Sequence, residues 1–155
     1  MPCTRAAFAV LAVLAFAVPV VARAAPDGAA IFTRCAACHT ATGAGVPGAY
    51  PPLNADFRSL AARAEGRRYL TLAVFRGLTG PITIEDKPFR GVMPAQSGLD
   101  DAEVAAVLNH VGTHISKSGP VFRPFTEAEV ARTHAGASVL TGADIARLHG
   151  AAGGR

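Results

Sequence analysis

Residues 35–39 read Cys-Ala-Ala-Cys-His, and the rest of the chain is interpreted from this stretch. Two cysteines three positions apart lie about one turn apart on an α-helix, and the histidine follows the second cysteine directly. Upstream, Ile31 and Phe32 share a helical face with Cys35, which predicts a helix over residues 28–40. Such a helix would present two thiols and an imidazole on one turn.

C-x-x-C-H is the attachment motif of a c-type haem. Each thiol forms a thioether with one vinyl group, and the adjacent histidine provides a nitrogen ligand for the iron. A thioredoxin-like redox pair would need a βαβ setting, a zinc site would need a second cysteine pair, and a disulfide would leave the histidine unexplained. We therefore predict one haem c, held by Cys35 and Cys38 and ligated by His39.

Met93 is predicted to be the second axial ligand. It is the only methionine apart from Met1, and it lies in the irregular segment Gly91-Val92-Met93-Pro94. The alternative is a core-filling methionine, but a segment rich in glycine and proline is an unfavourable place for one. Histidine on one face and methionine on the other is a common arrangement for electron transfer.

The other histidines are competing ligands. His110 and His114 are four residues apart on a predicted helix, a spacing that can chelate a metal, but chance accounts for such a pair more simply. His134 and His149 lie in a polar tail and are predicted to be exposed to solvent.

Residues 1–24 are typical of a secretory signal peptide, which predicts a periplasmic protein. Arg5 precedes an apolar run over residues 6–18, and residues 22–24 (Ala-Arg-Ala) form the cleavage signal. An uncleaved membrane anchor is the alternative, although the uncharged stretch over 6–22 is short for a span of ~20 residues. Cleavage lowers the formal net charge from +4 to +2, a charge too mild to indicate nucleic-acid binding.

The length predicts one compact domain, yet only 6% of the residues are aromatic and tryptophan is absent. A porphyrin would provide the missing apolar bulk. Beyond the first helix, we predict helices over 56–64 and 67–76, the latter stopped by Gly77, and a hairpin over 82–89. Residues 42–52 and 91–98 are predicted to be irregular. A capping box at Asp100 and Glu103 opens a last amphipathic helix that reaches Ile115.

The chain resembles a class I cytochrome c over about residues 28–115. The resemblance rests on four features in this order along the sequence: the CAACH motif, Pro51-Pro52-Leu53, Gly91-Val92-Met93-Pro94 and the last helix. The resemblance implies an all-α fold wrapped around covalently bound haem, with a small hairpin before the Met93 loop. It implies a cytochrome domain over 25–118 and a C-terminal extension over 119–155. Start signals at Thr126 and Thr141 predict that this extension forms two short helices; the alternative is that it is partly disordered.

The resemblance also implies specific contacts. Gly28 and Phe32 on the first helix should cross the last helix at Val107 and His110, where the family usually has an aromatic residue. The Pro51 carbonyl should accept a hydrogen bond from His39 Nδ1, and Leu53 should pack on the haem. The segment over residues 77–111 is most similar to monohaem cytochromes attached to or partnered with periplasmic oxidoreductases, in which Phe89 is often tyrosine.

The implied function is single-electron transfer, either as a soluble carrier or as the electron-transfer subunit of a dehydrogenase or reductase. The protein is not expected to be an enzyme on its own. A redox protein such as a dehydrogenase, reductase or terminal oxidase is the expected partner, and no nucleic acid is expected. The expected docking patch contains Ala36, Ala37, Val92, Pro94 and Ala95. Arg34, Arg58 and Arg90 are expected either to border the patch, to meet the haem propionates or to be ordinary solvated charges. The alternative function is a haem-based sensor or ligand-binding haem protein with a labile sixth ligand, because Gly91 borders the Met93 loop.

Overall fold

The computed structural model describes residues 24–154, so the predicted signal peptide lies outside the described residues except for Ala24. Within the described range the fold is predominantly helical, which confirms the all-α prediction. The helices are α1 (Gly28–His39), α2 (Ala55–Ala61), α3 (Ala64–Arg76), α4 (Asp101–His110), α5 (Glu127–Ala135) and α6 (Gly142–Ala151). The strands are β1 (Leu78–Thr79), β2 (Ile82–Ile84), β3 (Lys87–Phe89) and β4 (Val92–Met93). None of the helices over residues 24–154 is long and apolar enough to cross a membrane.

Helices α1 and α4 cross closely, as the resemblance implies. A Cβ atom at Gly28 would lie 2.2 Å from the carbonyl oxygen of Ala106, so the two backbones approach in a way that only glycine permits. Beside this contact, the rings of Phe32 and His110 lie 5.3 Å apart and are tilted by 40°. His110 therefore occupies the place of the expected aromatic side chain at the crossing.

Helix α4 begins at the predicted capping box. The Asp100 carboxylate accepts from the Glu103 amide at 2.8 Å, and the Glu103 carboxylate accepts from the Asp100 amide at 2.9 Å. The predicted single helix is not uniform, because residues Val111–Ile115 form a π-helical turn. Periodic apolar residues predict a helix without distinguishing its hydrogen-bond register, so the sequence pattern does not show this turn.

The second and third helices differ from their predicted bounds by a few residues. Helix α2 ends at Ala61 rather than at 64, and α3 begins at Ala64 rather than at 67. Helix α3 ends at Arg76 before Gly77, as predicted. Its buried face, which includes Leu72, forms the centre of the core.

The predicted hairpin is present, with Ile82 opposite Phe89 and the turn at Glu85 and Asp86. A second antiparallel pair was not predicted: β1 pairs with β4, with Leu78 opposite Met93. The prediction that 91–98 is irregular throughout is therefore wrong at 92–93. Strands of two residues are too short for a period-two pattern, so only the tertiary fold brings them together.

Both predicted helix starts in the tail are confirmed. The hydroxyl of Thr126 caps α5, and Thr141 forms a capping box with Asp144 at the start of α6. Helices α5 and α6 pack on α3, and Val130 and Ile145 are fully buried. The tail thus shares one core with the preceding residues.

This packing overturns the predicted exposure of His149 and changes the setting of His134. His149 is 3% exposed. The His134 ring stacks on the Phe75 ring at a centroid distance of 3.7 Å, and its Nδ1 forms a hydrogen bond with Asp101 Oδ1 at 2.8 Å. Even so, 47% of the His134 side chain is exposed. His149 therefore lies on the inner side of a docked helix, whereas His134 is exposed, as predicted, and contacts α3 and α4 along one edge.

Candidate cofactor site

Helix α1 ends at His39, the last residue of the predicted attachment motif, so the helix positions all the side chains of the motif. Cys35 and Cys38 are half-buried free thiols, not a disulfide. Burial raises the pKa of the Cys35 thiol, and the nearby Arg34 charge opposes this more weakly. A protonated thiol resists adventitious oxidation because the thiolate is the reactive form. Neither sulfur atom is used in a disulfide, so both are available for covalent attachment.

His39 is buried and held by one hydrogen bond to the backbone. Its Nδ1–H donates to the Pro51 carbonyl oxygen at 2.9 Å, which leaves Nε2 with a free lone pair. Burial lowers the pKa of His39, and the bond to Pro51 offsets part of this effect. The imidazole is thus neutral at neutral pH, the form required of a metal ligand.

The loop after α1 places Pro51. The Gly45 amide donates to the His39 carbonyl at 2.9 Å, and a Cβ atom at Gly45 would lie 2.7 Å from the Pro51 carbonyl oxygen. With φ of +67°, Gly45 takes a conformation that other residues rarely adopt. This glycine lets the loop fold back until the Pro51 carbonyl reaches His39.

A cleft with two lobes lies beside this motif. The outer lobe reaches Val92, and the inner lobe reaches Leu108. Six residues line both lobes and so mark where the lobes meet: Cys35, His39, Pro51, Leu78, Ile82 and Met93. Cys38 lines the outer lobe and Leu53 the inner lobe. Every predicted site residue therefore faces this cleft.

Met93 is held in place through its backbone. It is half-buried in β4, where it pairs with Leu78 of β1. The Gln96 amide just beyond donates to the Val74 carbonyl of α3 at 2.8 Å. Two contacts with the core therefore anchor the segment that carries the thioether.

The donor set and the cleft lining suit a haem c. An imidazole nitrogen and a thioether sulfur are the two axial ligands typical of electron-transfer haems, and two free thiols lie on the same helix as the imidazole. The inner lobe is lined mainly by apolar side chains such as Phe57, Leu60, Leu70 and Leu108. A large apolar macrocycle would complete the packing of these side chains.

The three arginines named in the sequence analysis have different settings. Arg34 lines the outer lobe, whereas Arg58 donates to the carbonyls of Ser116 at 2.9 Å and Pro120 at 3.2 Å. Arg58 therefore stabilises the segment that follows the π-helical turn by hydrogen bonds to its backbone. Arg90 is exposed and does not line either lobe. Over residues 24–154 no group of three or more His, Cys, Asp or Glu residues is arranged to hold a metal ion.

Sequence reasoning missed two polar residues of the inner lobe, Asp56 and Tyr69. An acidic residue in the first turn of a helix has an ordinary electrostatic explanation, so Asp56 gave no signal. Tyr69 is one of two tyrosines in the chain and lies among apolar residues of α3, a pattern that indicates burial but not a cleft. Burial raises the pKa of Tyr69, and the Asp56 charge adds to this effect.

Comparisons with known proteins agree with the site. A family model described as Cytochrome c matches residues 25–114. The chain is 42% identical over 116 residues to one cytochrome c-552 of Thermus thermophilus, covering 74% of this chain and 78% of that protein. It is also 42% identical over 111 residues to a second cytochrome c-552 of Thermus thermophilus, covering 70% of this chain and 85% of that protein. The family match includes the attachment motif, Pro51, Leu53 and Met93.

Proposed function

This chain belongs to the cytochrome c family of electron-transfer proteins, which bind one haem c covalently, and we propose that it carries single electrons in the periplasm. It acts either as a soluble carrier or as the electron-transfer subunit of a dehydrogenase or reductase. The observation that carries this proposal is the convergence of Cys35, Cys38, His39 and Met93 on one largely apolar cleft.

The residues of the cleft have separate tasks. Cys35 and Cys38 would hold the cofactor by thioether bonds, and His39 Nε2 and the Met93 sulfur would bind its iron. When bound, the haem supplies a one-electron couple. Pro51 fixes the orientation of the imidazole, and the apolar side chains exclude water, which disfavours extra positive charge in the cleft and raises the potential.

A small apolar surface at the outer lobe supports docking of a redox partner. Val92 is 64% exposed, and Ala37, Pro94 and Ala95 beside the motif and the Met93 segment are also exposed. Tyr50 extends this surface along the outer lobe. Transient electron-transfer contacts bury less than ~1,200 Å² of surface, so a small apolar patch is enough for a redox partner to dock.

The backbone of the Met93 segment is held by β1 and α3, so Met93 is not expected to dissociate readily as a ligand. This supports an electron carrier rather than a sensor with a labile sixth ligand. A carrier with both axial positions filled should bind CO slowly or not at all in the ferrous state. Rapid CO binding by the wild-type protein would instead favour the sensor.

The proposal is tested with the full-length gene expressed in a bacterial host that matures c-type cytochromes. We expect the periplasmic fraction to contain a protein whose mass corresponds to residues 25–155 plus one haem. We also expect a low-spin ferrous spectrum, a sulfur-to-iron charge-transfer band in the ferric form and a reversible one-electron potential. A colourless protein, or one confined to the cytoplasm, would contradict the proposal.

A further inference from the structure

A shallow groove outside the cofactor cleft contains a pair of histidines. It lies between the segment before α1, helix α4 and the start of α5, and none of the residues that line it lines either lobe of the cleft. His110 and His114 face this groove, together with the exposed side chains of Asp27 and Glu127. Two imidazoles and two carboxylates therefore lie in one place, and the proposed electron-transfer site uses none of them.

The two imidazole rings are spaced as they would be on one metal ion. Their centroids are 5.2 Å apart, and their planes are inclined by 31°. If each ring bound one tetrahedral ion through a nitrogen at about 2.0–2.1 Å, the two centroids would be about 5 Å apart. The observed separation of His110 and His114 therefore fits two ligands of a single ion.

A π-helical turn positions His114. The Ser116 amide donates to the Val111 carbonyl at 2.8 Å, which is the hydrogen-bond pattern of a π-helix. Within this turn Val111 lines the inner lobe, whereas His114 lines the groove. Such single turns are rare in proteins and occur often at functional sites. This one keeps an apolar side chain toward the cofactor cleft while it presents an imidazole to the groove.

Packing holds His110 in place and leaves its nitrogens accessible. The Phe32 ring lies 5.3 Å from the His110 ring, and a Cβ atom at Gly28 would lie 3.1 Å from the His110 Cβ. Over residues 24–154 no hydrogen bond engages either imidazole of the pair, and no side-chain nitrogen is buried there without a partner. The ring nitrogens of His110 and His114 are therefore open to solvent.

The electrostatic setting favours a cation. Burial, and then the neighbouring His114, hold the pKa of His110 below its ordinary value, and Asp27 opposes this more weakly. The His110 imidazole is therefore neutral at neutral pH, which is the form that binds a metal. Among the described residues that line the groove there is no lysine or arginine, whereas Asp27 and Glu127 contribute negative charge.

We propose that His110 and His114 form a binding site for one divalent transition-metal ion such as Zn²⁺. Two histidines four positions apart on one helical face are a recurring pair of zinc ligands, and imidazole suits Zn²⁺, Cu²⁺ and Ni²⁺ better than Mg²⁺ or Ca²⁺. Water fills the positions that the two imidazoles leave. The spacing in the sequence arises easily by chance, but the ring separation and the accessible nitrogens are properties of the folded chain. This inference does not depend on the proposed electron-transfer function.

The test is calorimetric titration of the haem-loaded protein with Zn²⁺, after production without a polyhistidine tag and removal of metal with a chelator. The loaded protein is used because haem attachment occupies Cys35 and Cys38, whose thiols otherwise compete for zinc. We expect one Zn²⁺ per chain, tighter binding of Cu²⁺ and no displacement by Mg²⁺. The midpoint of thermal unfolding should rise with Zn²⁺ concentration, because the ion binds the folded turn.

Two variants each remove one imidazole and preserve the packing. His110→Phe keeps an aromatic ring against Phe32, and His114→Gln changes an exposed side chain. Each should weaken Zn²⁺ binding by about tenfold or more, since even residues that only orient a ligand contribute that much. His134→Gln is the matched control, because His134 is an exposed histidine that also lies beside a carboxylate, that of Asp101. It should bind Zn²⁺ like the wild type.

Four outcomes overturn the inference: no binding of Zn²⁺ by the wild type, binding that persists in both His110→Phe and His114→Gln, binding lost in His134→Gln, or equal binding of Mg²⁺. The last outcome would mean that the carboxylates of the groove hold the ion. The haem absorption spectrum of each variant is compared with that of the wild type, so that loss of zinc binding is measured only on folded protein.

Discussion

At the scale of single residues, the cofactor site depends on a few atoms placed by backbone geometry. Cys35, Cys38 and His39 follow from their spacing on one helix, which sequence alone specifies. The bond from His39 to the Pro51 carbonyl needs the fold of the intervening loop. Asp56 and Tyr69 were missed because their helices had to pack before either side chain faced the cleft.

Gly28 should tolerate no larger side chain. In Gly28→Ala the new Cβ would collide with the backbone of Ala106, so α1 and α4 must separate, and we expect a loss of about 1–3 kcal/mol in the free energy of unfolding. The control is Gly150→Ala in α6, where a Cβ meets nothing within 4 Å. That change should stabilise the protein by about 0.5–1 kcal/mol. Denaturant titration followed by circular dichroism measures both effects, and equal stabilities would contradict the close crossing.

Met93→Ala should open the sixth coordination position. We expect loss of the charge-transfer band, a lower reduction potential and CO binding in the ferrous form, because the soft thioether no longer favours Fe(II). Val92→Ala is the neighbouring control, since Val92 is exposed and should leave the spectrum unchanged. Retention of the band in Met93→Ala would show that another side chain is the ligand.

At the scale of elements, a buried arginine joins the tail to α3. The Arg67 side chain is 4% exposed and contacts Glu129 of α5 through two bonds, of 2.5 and 2.7 Å. It also donates to the carbonyls of Ala61, Arg123 and Pro124 and lies 3.7 Å from the centroid of the Phe125 ring. Apart from Ala61, these partners lie more than 50 residues from Arg67 in sequence, so no local pattern predicted the contacts.

Arg67→Ala should destabilise the protein strongly. Removing Arg67 leaves Glu129 with only its longer contact to Arg123, at 3.4 Å, and takes a donor from three carbonyls, so we expect a cost of about 3–5 kcal/mol. The control is Arg147→Ala, whose exposed pair with Asp144 should contribute nothing measurable. Thermal or denaturant unfolding distinguishes the two. Similar small effects in both variants would mean that the tail does not depend on Arg67.

The same contact predicts acid sensitivity. The hydrogen bond from Arg67, and the Arg67 and Arg123 charges behind it, hold the pKa of Glu129 below its ordinary value of 4.5. Because the folded pKa is the lower one, this stabilisation is complete above about pH 4.5 and is lost as the pH falls through the folded value. The free energy of unfolding should therefore fall less on acidification in Glu129→Gln than in the wild type. Exposed Glu127→Gln, on the same helix, should behave like the wild type.

At the scale of the whole molecule, the outer lobe opens on the small apolar surface around Val92. Val92→Asp should slow electron exchange with a partner protein by roughly tenfold, equivalent to about 1.4 kcal/mol of docking energy. A charge in the middle of this apolar surface weakens docking of the partner protein, and it leaves the predicted iron ligands unchanged. Stopped-flow mixing with a reduced or oxidised redox partner measures the rate. Lys87→Asp, a charge change on the exposed strand β3, is the control.

The sequence by itself determined the chemistry, because haem attachment depends on residue types at fixed local spacing. It also determined the helical class and most helix starts, since caps and apolar periodicity act within one or two turns. Only the tertiary structure decided the β1–β4 pair that holds Met93, the docking of α5 by Arg67, the packing of α6 on α3, and the burial of His149 against Asp56. These features join segments far apart along the chain, and their stabilisation comes from burial and from hydrogen bonds that no local pattern encodes.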